Sequence, residues 1–170
     1  MLEQQNLQKI IYLADDDEDD RMLFFDAVLD LKLPAAVTAA EDGIQLLDML
    51  SQAVKQLPEI IFLDINMPGK SGFDCLEEIR SAKGDLKKVK IVMLSTSKNP
   101  DNIELSFELG ADLYAVKPST FQGLKNLLQK IFEMDWNSVK KKRSKIPAGL
   151  NIIYIYIFNF FCGLKSASIV

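Results

Sequence analysis

Short apolar runs alternate with longer stretches of helical periodicity five times between residues 10 and 134, and this alternation determines the fold class. Runs of four to six apolar residues are typical of buried strands, and apolar residues repeating every three or four positions are typical of helices. Five such βα units predict an α/β fold with an open, doubly wound parallel sheet. The near-continuous apolarity of the first, third and fourth strands predicts helices on both sheet faces.

The expected bounds follow from the apolar runs and from Pro and Gly punctuation. We expect the first helix to bury Met22, Phe25, Val28 and Leu29, and the second to bury Ile44, Leu47, Leu50 and Val54. The predicted strands are residues 10–14, 35–40, 60–64, 90–94 and 113–116, and the predicted helices are residues 20–31, 44–56, 73–81, 101–109 and 121–134.

Polar side chains follow four of the predicted strands at their carboxyl ends. Asp15 and Asp16 follow the first strand, Asp64 ends the third, Ser95 follows the fourth and Lys117 follows the fifth. In an open parallel sheet, these ends meet at one edge, where ligands bind. Like charges gathered there favour a metal ion, and oxygen ligands favour Mg²⁺ or Mn²⁺ over zinc.

Asp64 is the strongest candidate for chemistry because it ends a strand of four apolar residues. A metal-bound carboxylate can attack phosphorus, with Lys117 as the neighbouring cation and the Ser95 hydroxyl as a donor to a phosphoryl oxygen. A cis bond between Lys117 and Pro118 is one possibility. We expect the acidic run of residues 17–20 to be solvent-exposed, with Asp19 or Asp20 capping the first helix.

Composition excludes several classes of site. The chain contains no histidine, so it cannot form Ser-His-Asp or Cys-His sites or histidine-ligated zinc. Residues 140–170 hold six of the 20 basic residues and none of the 24 acidic ones, so residues 1–139 carry a net charge of −10. A body of that charge repels phosphate backbones, and we expect no nucleic-acid binding.

Taken together, these segments resemble the receiver domain of two-component response regulators, which belongs to the CheY-like superfamily. The resemblance spans residues 7–135 and lies in Leu13-Ala14-Asp15-Asp16-Asp17, Leu63-Asp64-Ile65-Asn66-Met67-Pro68-Gly69, Leu94-Ser95-Thr96 and Tyr114-Ala115-Val116-Lys117-Pro118. It implies a flavodoxin-like five-stranded sheet of order 2-1-3-4-5. It also implies a sensor histidine kinase or a histidine phosphotransfer protein as donor, and an unidentified downstream protein as target.

The resemblance also implies a role for each matching residue. Asp64 accepts the phosphoryl group, and Lys117 pairs with it. Asp16, helped by Asp15, binds Mg²⁺, and the Asn66 backbone carbonyl completes the metal site. Ser95 is the hydroxyl that moves toward the phosphate, and Tyr114 is the aromatic side chain that changes rotamer with it.

We expect residues 7–136 to form the receiver domain and residues 137–170 to be a basic, then hydrophobic tail without an output domain. The segment 152–162 is too short and polar-interrupted to span a membrane. It is an extra strand or interface patch, a membrane-surface anchor, or an unselected sequence from a shifted reading frame or artificial join; we favour the last, and expect no membrane contact by the tail. Two cysteines and no secretory h-region predict a cytoplasmic protein.

The leading hypothesis is a single-domain regulator, monomeric or dimerising on phosphorylation, and not an enzyme beyond self-catalysed phosphorylation and dephosphorylation. One alternative is a binding module of the same fold that works without phosphorylation. A second is a Mg²⁺-dependent phosphatase with an aspartyl nucleophile. That alternative fits less well, because haloacid dehalogenase-like enzymes carry a second acid two positions after the nucleophile, where this chain has Asn66.

Overall fold

A computed structural model describes residues 8–53 and 56–136. Its five strands form one parallel sheet in the order β2-β1-β3-β4-β5, as predicted. The strands are β1 (Lys9–Ala14), β2 (Ala35–Ala40), β3 (Ile60–Asp64), β4 (Lys90–Ser95) and β5 (Leu113–Val116). The helices are α1 (Glu18–Asp30), α2 (Gly43–Gln52), α3 (Gly72–Ser81), α4 (Pro100–Glu108) and α5 (Phe121–Glu133), with a short 3₁₀ turn at Leu86–Lys88.

Helices cover both faces of the sheet and create two separate apolar layers. Residues of α1 and α5 pack on one face, where Phe24 and Phe62 meet edge to face with ring centroids 4.9 Å apart. Residues of α2, α3 and α4 pack on the other face, with Leu76 and Ile79 fully buried. All five residues of β3 are buried, because this central strand is covered on both sides.

The buried face of α1 differs from the prediction. Phe24, Ala27 and Val28 are buried, whereas Met22, Phe25 and Leu29 are exposed. Apolar residues surround this helix on all sides, so periodicity alone does not select the face that meets the sheet. The helix also begins at Glu18 after the Asp17 cap, two residues earlier than the apolar pattern suggested.

The buried face of α2 was also predicted incorrectly at its start. Ile44 is 58% exposed and Leu46 is buried in its place, whereas Leu50 is buried as predicted. The helix ends at Gln52, four residues before its predicted end, and the predicted core residue Val54 lies outside the described residues.

The helix α4 ends at Glu108, one residue before its predicted end. Gly110 adopts a positive φ of 100° just after α4, where a residue without a side chain is favoured.

No helix in the part of the chain that the structure describes is long and apolar enough to cross a membrane. The predicted tail, residues 137–170, lies outside the described residues.

Candidate functional site

Three charged side chains meet at the carboxyl edge of the sheet. Asp15 directly follows β1, Asp64 ends β3, and Lys117 directly follows β5. The Lys117 Nζ lies 2.8 Å from Asp15 Oδ2 and 3.1 Å from Asp64 Oδ1. Both carboxylates are nearly inaccessible to solvent, at 2% and 4% exposure. The Lys117 ammonium therefore lies between two buried carboxylates. This arrangement was expected, because the carboxyl ends of the strands meet at one edge.

A third carboxylate, from Asp20, completes the surroundings of Lys117. Its Oδ2 lies 2.8 Å from Lys117 Nζ and accepts a hydrogen bond from it. The predicted exposure of Asp20 holds only in part, because its side chain is 41% exposed but is also paired with Lys117. Its contact depends on how α1 begins relative to the sheet edge, which local sequence does not reveal.

The start of α1 is fixed by Asp17, not by Asp19 or Asp20 as predicted. The Asp17 side chain accepts hydrogen bonds from the backbone N–H groups of Asp19 and Asp20, at 2.9 and 3.1 Å. In turn, Asp15 Oδ1 accepts a 3.1 Å hydrogen bond from the Asp17 N–H. The guanidinium of Arg21 donates to the Asp15 carbonyl oxygen at 2.8 Å. This network holds the first turn of α1 against the end of β1.

Burial and the cluster of charges shift the pKa values of the site. Burial raises the pKa of Asp64 to about 6, although Lys117 opposes the shift. Burial also raises the pKa of Asp15 against the same opposition. Burial alone lowers the pKa of Lys117, but hydrogen bonds to Asp15 and Asp20 outweigh it, and the net shift is upward. Lys117 is thus held in its charged form by the acids around it.

Three carboxylates of this edge are spaced to share a metal ion. One oxygen each from Asp15, Asp16 and Asp64 lies within 4.8 Å of the others. Asp16 is exposed, so its side chain is open to an ion entering from solvent. A set of hard oxygen donors fits Mg²⁺ or Mn²⁺. Asp64 Oδ2 accepts a 3.1 Å hydrogen bond from the Asn66 N–H, and the metal role of the Asn66 carbonyl stays a prediction.

The backbone of Asp64 is held by the start of α3. The Gly72 N–H donates a 3.0 Å hydrogen bond to the Ile65 carbonyl. A Cβ atom at Gly72 would lie 2.2 Å from the Asp64 carbonyl oxygen, so only glycine fits. Ser71 and Asp74 cap α3 reciprocally. The predicted helix 73–81 leaves out Ser71 and Gly72, and no part in placing Asp64 was predicted for them.

Ser95 and Tyr114 lie on neighbouring strands and are linked through Ser97. Ser95 is fully buried, and its Oγ accepts a 3.0 Å hydrogen bond from the Ser97 N–H. The Tyr114 hydroxyl donates a 2.8 Å hydrogen bond to the Ser97 carbonyl, with the ring 1% exposed. The Lys117 N–H donates to the Ser95 carbonyl at 2.8 Å. The described residues contain no cis peptide bond, so the Lys117–Pro118 bond is trans.

A cavity of about 270 Å³ adjoins the charged cluster between α1 and α5. Its walls are mainly apolar and include Leu23, Phe24 and Leu124. Lys117 and Asp20 form part of its lining, and so does the residue Thr120, which caps α5.

Comparison with known proteins points to one family. The family model for the response regulator receiver domain matches residues 11–129. The response regulator Rcp1 of Synechocystis sp. is 30% identical over 135 residues, which cover 77% of this chain and 91% of Rcp1.

Solved structures give the same result. The phosphorylated cyanobacterial phytochrome response regulator RcpA superposes with a TM-score of 0.68 and 33% identity, covering 74% of this chain and 92% of RcpA. The Mn²⁺-bound form of Rcp1 superposes with a TM-score of 0.65 and 30% identity, covering 72% of this chain and 91% of Rcp1.

Proposed function

This chain belongs to the family of response regulator receiver domains, and on that premise we propose that it accepts a phosphoryl group onto Asp64. The donor is a sensor histidine kinase or a histidine phosphotransfer protein, the class of protein implied by membership of the receiver family. The observation that supports the proposal most is the pairing of the buried Asp64 carboxylate with Lys117 beside two further acids, Asp15 and Asp16.

The transfer is a displacement at phosphorus. A carboxylate oxygen of Asp64 forms a bond to the phosphorus atom as the bond from phosphorus to the donor nitrogen breaks, and the electron pair leaves with that nitrogen. Lys117, already 3.1 Å from Asp64 Oδ1, can pair with a phosphoryl oxygen as charge moves onto it. The Asn66 N–H and the close backbone packing at Gly72 hold the Asp64 side chain in place.

The carboxylates of Asp15, Asp16 and Asp64 would hold Mg²⁺, or Mn²⁺, together with the Asn66 carbonyl. When bound, the ion neutralises charge shared by the carboxylate and the phosphoryl oxygens. The observed fit is the closeness of three carboxylate oxygens within 4.8 Å. The mutual repulsion of these acids in the absence of the ion is relieved in part by Lys117.

The phosphoryl group is proposed to switch a protein-binding surface through Ser95 and Tyr114. Ser95 would exchange its acceptor role toward the Ser97 N–H for a hydrogen bond donated to a phosphoryl oxygen. Tyr114 would then give up its hydrogen bond to the Ser97 carbonyl and change rotamer. This shifts a two-state equilibrium on the face formed by the fourth and fifth βα units, and the downstream protein binds that face.

The proposal includes the remaining organisation. Residues 7–136 are the receiver domain. The protein is cytoplasmic, does not bind nucleic acid, and is a monomer or a phosphorylation-dependent dimer. It acts as a regulator whose only chemistry is its own phosphorylation and dephosphorylation.

Intact-protein mass spectrometry tests the proposal. We expect incubation with Mg²⁺ and acetyl phosphate to add one phosphoryl group to the wild-type chain. Asp64→Asn should gain none, and the exposed Asp26→Asn serves as the matched control that still gains it. If the wild type gains no phosphoryl group, the protein is a receiver-fold binding module that works without phosphorylation. Turnover of phosphate esters would favour the phosphatase.

A further inference from the structure

Asp20 contacts the lysine of the site but is not among the metal-binding carboxylates. Its Oδ2 lies 2.8 Å from Lys117 Nζ, as close as Asp15 and closer than Asp64. We propose that Asp20 is a positioning residue that holds the Lys117 ammonium toward Asp64. The inference deepens the proposed function and rests on it, because the position of Lys117 matters for phosphoryl transfer to Asp64.

The donor count of an ammonium group gives the first step. Lysine carries three N–H donors and no acceptor. In this structure the three nearest carboxylates are those of Asp15, Asp20 and Asp64. Asp15 and Asp20, which do not receive the phosphoryl group, therefore each accept one N–H donor of Lys117. The third N–H donor is directed at the Asp64 carboxylate. Loss of Asp20 removes one of the two holding contacts.

The cavity between α1 and α5 gives the second step. Lys117, Asp20 and Thr120 all line this space of about 270 Å³. A lysine side chain has four rotatable carbon links and loses considerable entropy when it is fixed. Without Asp20, the ammonium has room to turn away from Asp64 and toward the cavity.

The rigidity of the first turn of α1 gives the third step. The Asp20 N–H is bonded to the Asp17 side chain at 3.1 Å, and Arg21 ties the same turn to the Asp15 carbonyl at 2.8 Å. The backbone that carries the Asp20 carboxylate is therefore held in place. Asp19 lies in the same turn, its N–H bonds to the same cap, and its side chain is exposed, which makes it a matched control for the charge.

Phosphorylation kinetics with phosphoramidate and Mg²⁺ separate positioning from simple repulsion of the anionic donor. We expect Asp20→Ala to lower the rate constant at saturating phosphoramidate by roughly tenfold. Asp20→Asn should restore most of that rate, because its amide oxygen still accepts a hydrogen bond from Lys117. Asp19→Ala should leave the saturating rate unchanged.

A role in charge alone gives a different pattern. Asp20→Ala and Asp20→Asn would then both lower the half-saturating phosphoramidate concentration and leave the saturating rate as in the wild type. That result, or an equal loss of rate in Asp19→Ala, overturns the proposal.

A second measurement does not depend on phosphorylation. Lys117 in the metal-free, full-length protein is acetylated with acetic anhydride, and its extent of modification is read by peptide mass spectrometry. We expect several-fold faster modification in Asp20→Ala than in the wild type or in Asp19→Ala. Equal reactivity in all three overturns the positioning role. If the wild type takes up no phosphoryl group but Asp20→Ala shows faster acetylation, the proposed function fails while the hold of Asp20 on Lys117 is retained.

Discussion

The Lys117 ammonium lies 3.1 Å from the Asp64 carboxylate, although β4 separates the strands that carry them. The contact is made possible by the parallel arrangement, which brings the carboxyl ends of β3 and β5 to the same edge. A lysine side chain is long enough to pass over the end of the intervening strand. Burial raises the pKa of Asp64, and the surrounding acids raise the pKa of Lys117, which keeps the ammonium charged.

The first prediction concerns the stability of the metal-free protein. Because burial raises the pKa of Asp64 to about 6 from its usual 3.8, the folded state binds this proton more tightly than the unfolded state. The contribution of Asp64 to stability is therefore lost as pH rises from about 4 through about 6. We expect Asp64→Asn to stabilise the metal-free protein at pH 7 by on the order of 1–3 kcal/mol.

Urea unfolding at pH 4, 5, 6 and 7 in chelator measures the difference between Asp64→Asn and the wild type. The difference in the free energy of unfolding between Asp64→Asn and the wild type should grow with pH and level off above pH 6. The exposed Asp26→Asn is the control and should show no such growth. A pH-independent difference, or a less stable Asp64→Asn at pH 7, contradicts the account.

The second prediction concerns metal binding. A ligand that binds only the folded state at a hundred times its dissociation constant adds about 2.7 kcal/mol of stability. We expect Mg²⁺ to raise the melting temperature of the wild type, because three carboxylate oxygens lie within 4.8 Å of one another. Asp16→Asn should lose most of this rise, and Asp19→Asn should keep it. Equal rises in the two variants would place the ion elsewhere.

The third prediction tests the support beneath Asp64. Gly72→Ala places a Cβ 2.2 Å from the Asp64 carbonyl oxygen, and backbone cannot yield cheaply. We expect Gly72→Ala to lower the free energy of unfolding by roughly 3 kcal/mol, as at other overpacked sites. Gly69→Ala is the comparison, since its Cβ meets open space and only its φ of 75° is unfavourable, at a cost of about 1 kcal/mol. If Gly72→Ala and Gly69→Ala lowered the free energy of unfolding equally, the close approach at Gly72 would contribute nothing to stability.

The fourth prediction concerns the thiol of Cys75. Burial raises the pKa of this thiol to about 11, and its Sγ lies 3.5 Å from the Gly43 carbonyl oxygen. Since the thiolate is the reactive form, we expect very slow reaction with Ellman's reagent at pH 8 in native Cys162→Ala protein. The same protein in guanidinium should react at once. Rapid reaction of the native protein would show that the thiol is accessible.

Much of the fold could be predicted from the chain, because strands that are buried on both faces have a plain signature. The apolar run ending in Asp64 predicts β3 to the residue, and the five alternations give the parallel sheet. The approach of Lys117 to Asp15 and Asp64 also follows, since strand ends share one edge. These features depend on local pattern and on topology, both of which the sequence carries.

The incorrect predictions concern the orientation of helices against the sheet, which the sequence pattern indicates only weakly. Met22 and Phe25 were placed in the core because α1 is apolar on all sides, and the helix turns Phe24 inward instead. The contact between Asp20 and Lys117 was missed for the same reason, since it depends on the start of α1 at the Asp17 cap. Ser71 and Asp74 carried a usable signal, because a serine before a helical run with an acid three residues later marks a capping box.

The central claim is that Asp64 is the residue that carries the phosphoryl group. Reduction with sodium borohydride converts an aspartyl phosphate into homoserine, which peptide sequencing by mass spectrometry locates. After incubation with Mg²⁺ and acetyl phosphate, we predict homoserine at position 64 and at none of the neighbouring acids Asp15, Asp16 or Asp20. Homoserine at another position, or none in protein that has gained phosphate, would contradict the account.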